Sequence, residues 1–93
     1  MEHIKLPERR GELKALLHLA ESLRRVETDP LRQAYWFGYL RGIRRAIAGE
    51  EYGTTEGHKR LHDIPEDEAD RERREIGRGY RDGCKGERPE ELF

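Results

Sequence analysis

The sequence predicts an all-α protein, and three observations carry that prediction. Apolar residues recur at spacings of three and four over residues 13 to 26 and again over 36 to 47, which is the period of amphipathic helices. No stretch shows the alternation of a half-buried strand. Asp29-Pro30 precedes the second apolar stretch and Gly49 follows it, as residues typical of a helix start and a helix end. We expect a bundle of three main helices plus a short fourth helix or loop, as a monomer or a dimer.

The chain is short and poor in large apolar residues. Leu, Ile, Val and Phe make up 18 of its 93 residues, a level that borders on disorder. The net charge of only -1 points to a folded chain, because disorder by composition also requires a strong charge imbalance. We predict a single domain over residues 1–93, with an ordered core over about 7–86 and a flexible tail over 87–93.

The first helix is predicted to begin at Pro7 or just after Gly11. Proline suits the first helical position, where its missing N–H would have no partner. A stripe of apolar residues then faces the core. Its members are Leu13, Leu16, Leu17, Ala20 and Leu23.

The second helix is predicted to start after Asp29, run to about Ala48 and stop at Gly49. Asp29 can cap the first amides and Pro30 suits the first turn. Apolar and small residues occupy most of its circumference, so we expect it to be the central helix, covered on two sides. The broad apolar face comprises Trp36, Tyr39, Leu40, Ile43 and Ile47.

A short motif occurs twice, as Gly38-Tyr39-Leu40-Arg41-Gly42 and as Gly79-Tyr80-Arg81-Asp82-Gly83. Glycine within a helix costs about 1 kcal/mol relative to alanine, so paired glycines indicate that another backbone comes close. We predict that the second and third long helices cross at these glycines, with each tyrosine packed on the other helix. The pairing is left open between one chain and two.

The region after Gly49 gives a weaker pattern. Thr54 or Thr55 could cap a short helix that carries His58 and His62. Pro65 is predicted to open the third long helix, because the acids of EDEAD precede several arginines, the order that the helix dipole favours.

The small net charge conceals two oppositely charged segments. Residues 24 to 48 carry six arginines and two acids, a net charge of +4. Residues 49 to 70 carry eight acids and two basic residues, a net charge of -6. The middle of the chain is therefore a charge dipole.

Neither a metal site nor an enzyme is predicted. His58 and His62 could share a helix turn, with Asp63, Cys84 or His3 nearby, but no HExxH or CxxC pattern accompanies them. No phosphate-binding glycine loop follows a strand, and the carboxylates occur in runs typical of solvated helix starts. We expect no cofactor and no catalysis.

The setting predicted from the sequence is cytoplasmic. A lone cysteine, Cys84, forms no disulfide within the chain. The first ten residues lack the apolar core of a signal peptide, and the apolar run AYWFGYL is too short to cross a bilayer.

The function predicted is binding of a larger protein or nucleoprotein partner. Arginine and aromatic residues dominate many interfaces, and opposed charges steer docking. The predicted contact residues on the basic side are Phe37, Arg41, Arg44 and Arg45. Those on the acidic side, which could imitate phosphates, are Glu66, Asp67, Glu68 and Asp70. Short charged chains of this kind are typical of adaptors and of phage or mobile-element inhibitors of host machinery, anti-CRISPR proteins among them.

Two alternatives remain open at this stage. Arg41, Arg44 and Arg45 could form a strip for nucleic-acid phosphates, although a pI of about 6.4 is low for such a domain. The same arginines could instead be neutralised by the EDEAD acids, within the fold or across a homodimer.

Overall fold

The structure is a computed structural model that describes residues 5–49 and 53–89, with side chains from Arg10 onward. Over these residues it contains four helices and no strand. Their bounds are α1, Lys5–Val26; α2, Pro30–Ala48; α3, Thr55–His62; and α4, Arg71–Lys85. The predicted all-α fold of three main helices plus a short fourth one is therefore confirmed.

Caps fix the ends of α2 where the sequence predicts them. The Asp29 carboxylate accepts a hydrogen bond from the Leu31 amide at 3.0 Å, satisfying one of the amides that a helix start leaves open. At the other end Gly49 has a φ of +70° and donates its N–H to the carbonyl of Arg45. Glycine adopts this positive φ without steric strain, so the helix stops there.

Helix α1 begins earlier than predicted, at Lys5 instead of Pro7. Pro7 then lies within the first turn, where a missing N–H breaks no helical hydrogen bond. Gly11 lies inside the helix, with no atom within 4 Å of the position that a Cβ would occupy.

Helix α2 forms the centre of the core. Leu13 and Ala20 of α1 are buried against it, and Leu16, Leu17 and Leu23 are partly buried there. Five α2 side chains are at most 2% exposed: Tyr35, Trp36, Tyr39, Leu40 and Ile43. A single helix thus supplies five of the nine buried hydrophobic residues in the described part of the chain.

Helix α4 packs on a second side of α2, at the repeated glycines. A Cβ on Gly38 would overlap the carbonyl oxygen of Ile76, and one on Gly79 would overlap the carbonyl oxygen of Tyr35. The two backbones are therefore in direct contact, with no room for a side chain between them.

The next turn repeats the same arrangement. A Cβ on Gly42 would overlap the carbonyl oxygen of Tyr80, and one on Gly83 would overlap that of Tyr39. Gly38 corresponds to Gly79 in the repeated motif, and Gly42 corresponds to Gly83, so corresponding glycines lie 41 residues apart. In all four contacts the glycine touches the residue that lies three positions before its counterpart on the other helix. The helices consequently run parallel, in an approximately twofold arrangement within one chain.

The predicted start of the third long helix at Pro65 is wrong, because α4 begins at Arg71. The Asp70 carboxylate accepts hydrogen bonds from the amides of Glu72 and Arg73, at 3.0 and 3.3 Å. Aspartate is more favourable as an N-cap than inside a helix, so this cap sets the start of α4. The preceding acids belong to the connection.

The connection between α3 and α4 is anchored to α4 by Ile64, which is 2% exposed. The Cβ of Ile64 lies 2.6 Å from the position that a Cβ on Gly77 would occupy, so Gly77 provides the space for it. The Arg81 guanidinium donates a hydrogen bond to the Ile64 carbonyl. These contacts hold the acidic connection beside α4.

The packed part of the chain extends beyond Lys85. The Tyr39 hydroxyl donates a hydrogen bond to the carbonyl of Glu87 at 2.7 Å, and Pro89 is fully buried. The first residues of the segment predicted to be a flexible tail are thus held against α2. Residues 90–93 of that segment lie outside the described residues.

No described helix combines the length and the apolar character needed to cross a bilayer.

Candidate functional site

Three predicted contact residues form one line along α2. Phe37, Arg41 and Arg45 are spaced one turn apart, so their side chains share a face. Phe37 is 39% exposed, and the Arg41 guanidinium lies 5.5 Å from the centre of its ring, a cation–π distance. We call these three residues the basic face. Phe37 and Arg41 are exposed and Arg45 is half-buried.

Arg44 is separated from the basic face. Its guanidinium turns toward α1 and pairs with the Glu21 carboxylate at 2.9 Å. The arginines that sequence projection places on one strip are therefore divided between two sides of α2. Glu21, which no sequence pattern singles out, is the partner of Arg44.

The four predicted acidic contact residues also divide into two pairs. Glu68 accepts hydrogen bonds from the Arg73 side chain at 3.1 Å and from the Asp70 amide at 3.2 Å. Asp70 caps α4. Glu66 and Asp67, in contrast, are exposed in the connection before α4. Only this second pair is presented to solvent without a role in the start of the helix.

A cleft opens beside the basic face, between α2, the start of α3 and α4. We call it the α2–α3 cleft. Its volume is about 200 Å³. Its lining residues are Arg41, Arg45, Gly53, Thr54, Gly57, His58, Leu61 and Tyr80.

The start of α3 forms one wall of this cleft. The Thr54 hydroxyl accepts a hydrogen bond from the Gly57 amide at 2.9 Å, and the Thr54 carbonyl accepts one from His58. Gly53 precedes the cap with a φ of +77°, a conformation that residues with a side chain rarely adopt. Thr54, one of the two threonines predicted as a cap, therefore both caps α3 and lines the cleft.

Tyr80 forms the floor of the cleft. Its hydroxyl lies 2.7 Å from Nδ1 of His58, and the residue is 3% exposed. Burial, with a smaller effect from the neighbouring Cys84, raises the pKa of Tyr80 to about 12, although Arg45 and Arg41 act in the opposite direction. Tyr80 therefore keeps its proton near neutral pH and can donate it in a hydrogen bond.

The side chain of Cys84 is hydrogen-bonded to that of Tyr80. Burial raises the pKa of the thiol, and this effect exceeds the opposing ones of the Tyr80 hydrogen bond and of Arg45. The thiolate is the reactive form of cysteine. Cys84 consequently lacks the lowered pKa that activates a nucleophilic cysteine.

The two histidines of α3 lie side by side, with ring centres 5.1 Å apart. His58 bonds to Tyr80, and Nδ1 of His62 lies 3.4 Å from the Asp63 carboxylate. Among the described side chains, at residues 10–49 and 53–89, no three His, Cys, Asp or Glu groups are arranged to hold a metal ion. His3, the other candidate ligand, lies outside the described residues.

The other flank of α4 carries polar contacts that the sequence did not indicate. The Tyr35 hydroxyl donates a hydrogen bond to the Asp82 carboxylate at 2.6 Å. Arg78 lies 5.2 Å from the Tyr35 ring centre and pairs with Glu75 at 2.8 Å. These residues tie α2 to α4, so we assign them to the scaffold.

Comparisons of the chain with protein-family models, with curated proteins and with solved structures find no match.

Proposed function

We propose that the protein binds a larger protein or nucleoprotein partner through the basic face and acts without catalysis. The observation that carries this proposal is the exposed Phe37 ring, with the Arg41 guanidinium beside it, on a helix whose other aromatic residues are buried. An aromatic ring and an arginine in contact can bury apolar area and form directed hydrogen bonds on docking.

Charge supports the same proposal. Arg41 and Arg45 give the face positive charge, while Glu66 and Asp67 form an acidic patch in the connection before α4. Separate patches of opposite sign orient a small protein during its approach to a partner of complementary charge. We expect the basic face to supply most of the binding energy and the acidic patch to affect mainly the association rate.

Nucleic-acid binding through the arginines remains the second candidate. Arg41 and Arg45 could contact phosphates, and Phe37 could stack on a base. Arg44 is less suited to this role, because its pairing with Glu21 would have to be broken. The remaining strip is short, which favours the protein partner.

Narrower predictions from the sequence remain predictions. They are that the chain is cytoplasmic, needs no cofactor, forms a homodimer as one alternative, and inhibits host machinery as phage, mobile-element and anti-CRISPR proteins do. A docking surface of this kind suits an inhibitor and an adaptor equally.

The proposal is tested by affinity capture from a nuclease-treated lysate with four matched baits. The baits are the wild type, Phe37→Ala, Arg41→Gln and Arg44→Gln. We expect a partner that the wild type and the Arg44→Gln protein retain, and that each basic-face variant loses by about tenfold, the effect of a hot-spot truncation. Melting curves of all four baits show whether the losses arise from misfolding.

Fluorescence anisotropy with labelled DNA and RNA decides between the two candidates. Micromolar binding that falls steeply with salt and requires Arg41 and Arg45, together with no captured protein that depends on Phe37, would establish the nucleic-acid function instead.

A further inference from the structure

The α2–α3 cleft brings together groups that favour an anion. Arg41 and Arg45, one turn apart on α2, are both lining residues. The Arg41 guanidinium also lies 5.5 Å from the centre of the Phe37 ring. The first turn of α3, at the positive end of the helix dipole, lines it from the opposite side. In this turn the Gly57 amide is bonded to Thr54, and Glu56 is exposed outside the lining. None of the described residues that line the cleft is acidic.

We propose that the α2–α3 cleft is a binding site for one phosphate monoester group, held by Arg41 and Arg45 against the start of α3. This inference goes beyond the proposed function, because a small anion can occupy the cleft whether or not a protein docks on the basic face. Phosphate fits better than a halide because the planar guanidinium fork forms paired hydrogen bonds to its oxygens.

The floor of the cleft is already organised. The Tyr80 hydroxyl is held 2.7 Å from Nδ1 of His58, and Tyr80 packs in the contact between α2 and α4. When the hydroxyl donates to Nδ1, the neutral imidazole carries its proton on Nε2 and becomes a further donor. His58 is thus fixed in one orientation without ligand, which lowers the entropic cost of binding.

The size of the cleft agrees with a small anionic group. Its volume of about 200 Å³ is below the range of roughly 300 to 1,000 Å³ typical of pockets for drug-sized ligands. A neighbouring depression of about 290 Å³ shares Arg45 and His58 with it and extends to Cys84. The phosphate would occupy the cleft, and the group that it is attached to would extend into this depression.

Titration of the labelled protein with inorganic phosphate, followed by amide NMR in 150 mM NaCl, tests the site. We expect saturable shifts at the amides of Gly53, Thr54 and Gly57. Arg45→Gln should weaken binding by about tenfold or more, because a charge-assisted hydrogen bond pair is lost. Arg44→Gln is the matched control, since it removes an arginine of the same helix that faces α1, and it should leave the affinity unchanged.

A second set of titrations identifies the source of the phosphate group. Tighter binding of adenosine monophosphate than of inorganic phosphate would indicate a nucleotide, and tighter binding of blocked phosphoserine a phosphorylated side chain. Equal binding of all three would indicate free phosphate.

Unsaturable shifts spread over all arginines, or equal weakening by the Arg44 and Arg45 substitutions, would overturn the proposal. Phe37→Ala separates it from the proposed function, because this variant should lose the protein partner and still bind phosphate.

Discussion

Helix α2 makes two unlike contacts. Against α4 its glycines place backbone on backbone, whereas against α1 it packs large side chains on leucines. The contact between α2 and α4 leaves no space for an added atom. The contact between α1 and α2 can adjust, because side chains can change rotamer. A chain with only 18 large aliphatic or phenylalanine residues therefore builds its core partly by close approach of helices.

The glycine contact compensates for the shortage of large apolar residues in α4. Carbonyl oxygens of each helix lie against glycines of the other, an arrangement in which weak Cα–H···O bonds contribute. Closely packed backbones also gain many dispersion contacts. The large side chains of α2 serve both contacts, since the hydroxyl groups of Tyr35 and Tyr39 bond to Asp82 and Glu87 while the core cluster packs on α1.

The largest effect is expected at the glycine contact. Gly42→Ala places a Cβ on the carbonyl oxygen of Tyr80, so the helices must separate. We expect the free energy of unfolding to fall by about 3 kcal/mol, the upper range for overpacking. Urea denaturation followed by circular dichroism measures it.

Gly11→Ala is the matched control, because Gly11 is helical and has open space at its Cβ position. Alanine should stabilise the protein there by up to about 1 kcal/mol through helix propensity. Equal effects of the two substitutions would show that α2 and α4 are not in backbone contact.

A smaller loss is expected on the α1 side. Leu13 is 6% exposed and packs in the core between α1 and α2. Leu13→Ala should cost about 2 kcal/mol, the low end for a buried leucine, because neighbouring leucines can move toward the space. Denaturation under the same conditions tests this value, and a cost above that of Gly42→Ala would reverse the comparison.

The smallest effect is expected at the ion pair that links α1 to α2. Glu21 and Arg44 have side chains 36% exposed, so water screens their attraction. Glu21→Gln should lower the free energy of unfolding by less than about 1 kcal/mol, and by less still in 1 M salt. A loss of more than that, unchanged by salt, would indicate that this pair is a major determinant of the α1–α2 contact.

Local sequence patterns predicted the helices well where periodicity and caps agreed. Asp29 and Gly49 bound α2 as expected, since a cap depends only on neighbouring residues. The predicted start of the third long helix at Pro65 is wrong because acids before a helix resemble acids in its first turn. Asp70 decides between the two through its side-chain hydrogen bonds, which the sequence does not show.

The candidate site was less predictable. Helical projection gives the angle between Arg44 and Arg45 but not which neighbouring helix each one meets. Arg44 forms an ion pair with Glu21 because α1 packs on that side of α2. Arg45 lines a cleft because α3 lies on the other side. His58 and Tyr80 are 22 residues apart, so their contact depends on tertiary structure alone.

The parallel pairing of α2 and α4 has a consequence for the order of folding. Their matching glycines are 41 residues apart, whereas α1 and α2 are joined by a short turn at residues 27–29. Closing a long loop costs more chain entropy than closing a short one, and non-local contacts slow folding. We expect α1 and α2 to associate first and α4 to join late, so that this small helical protein folds more slowly than bundles with only neighbouring contacts.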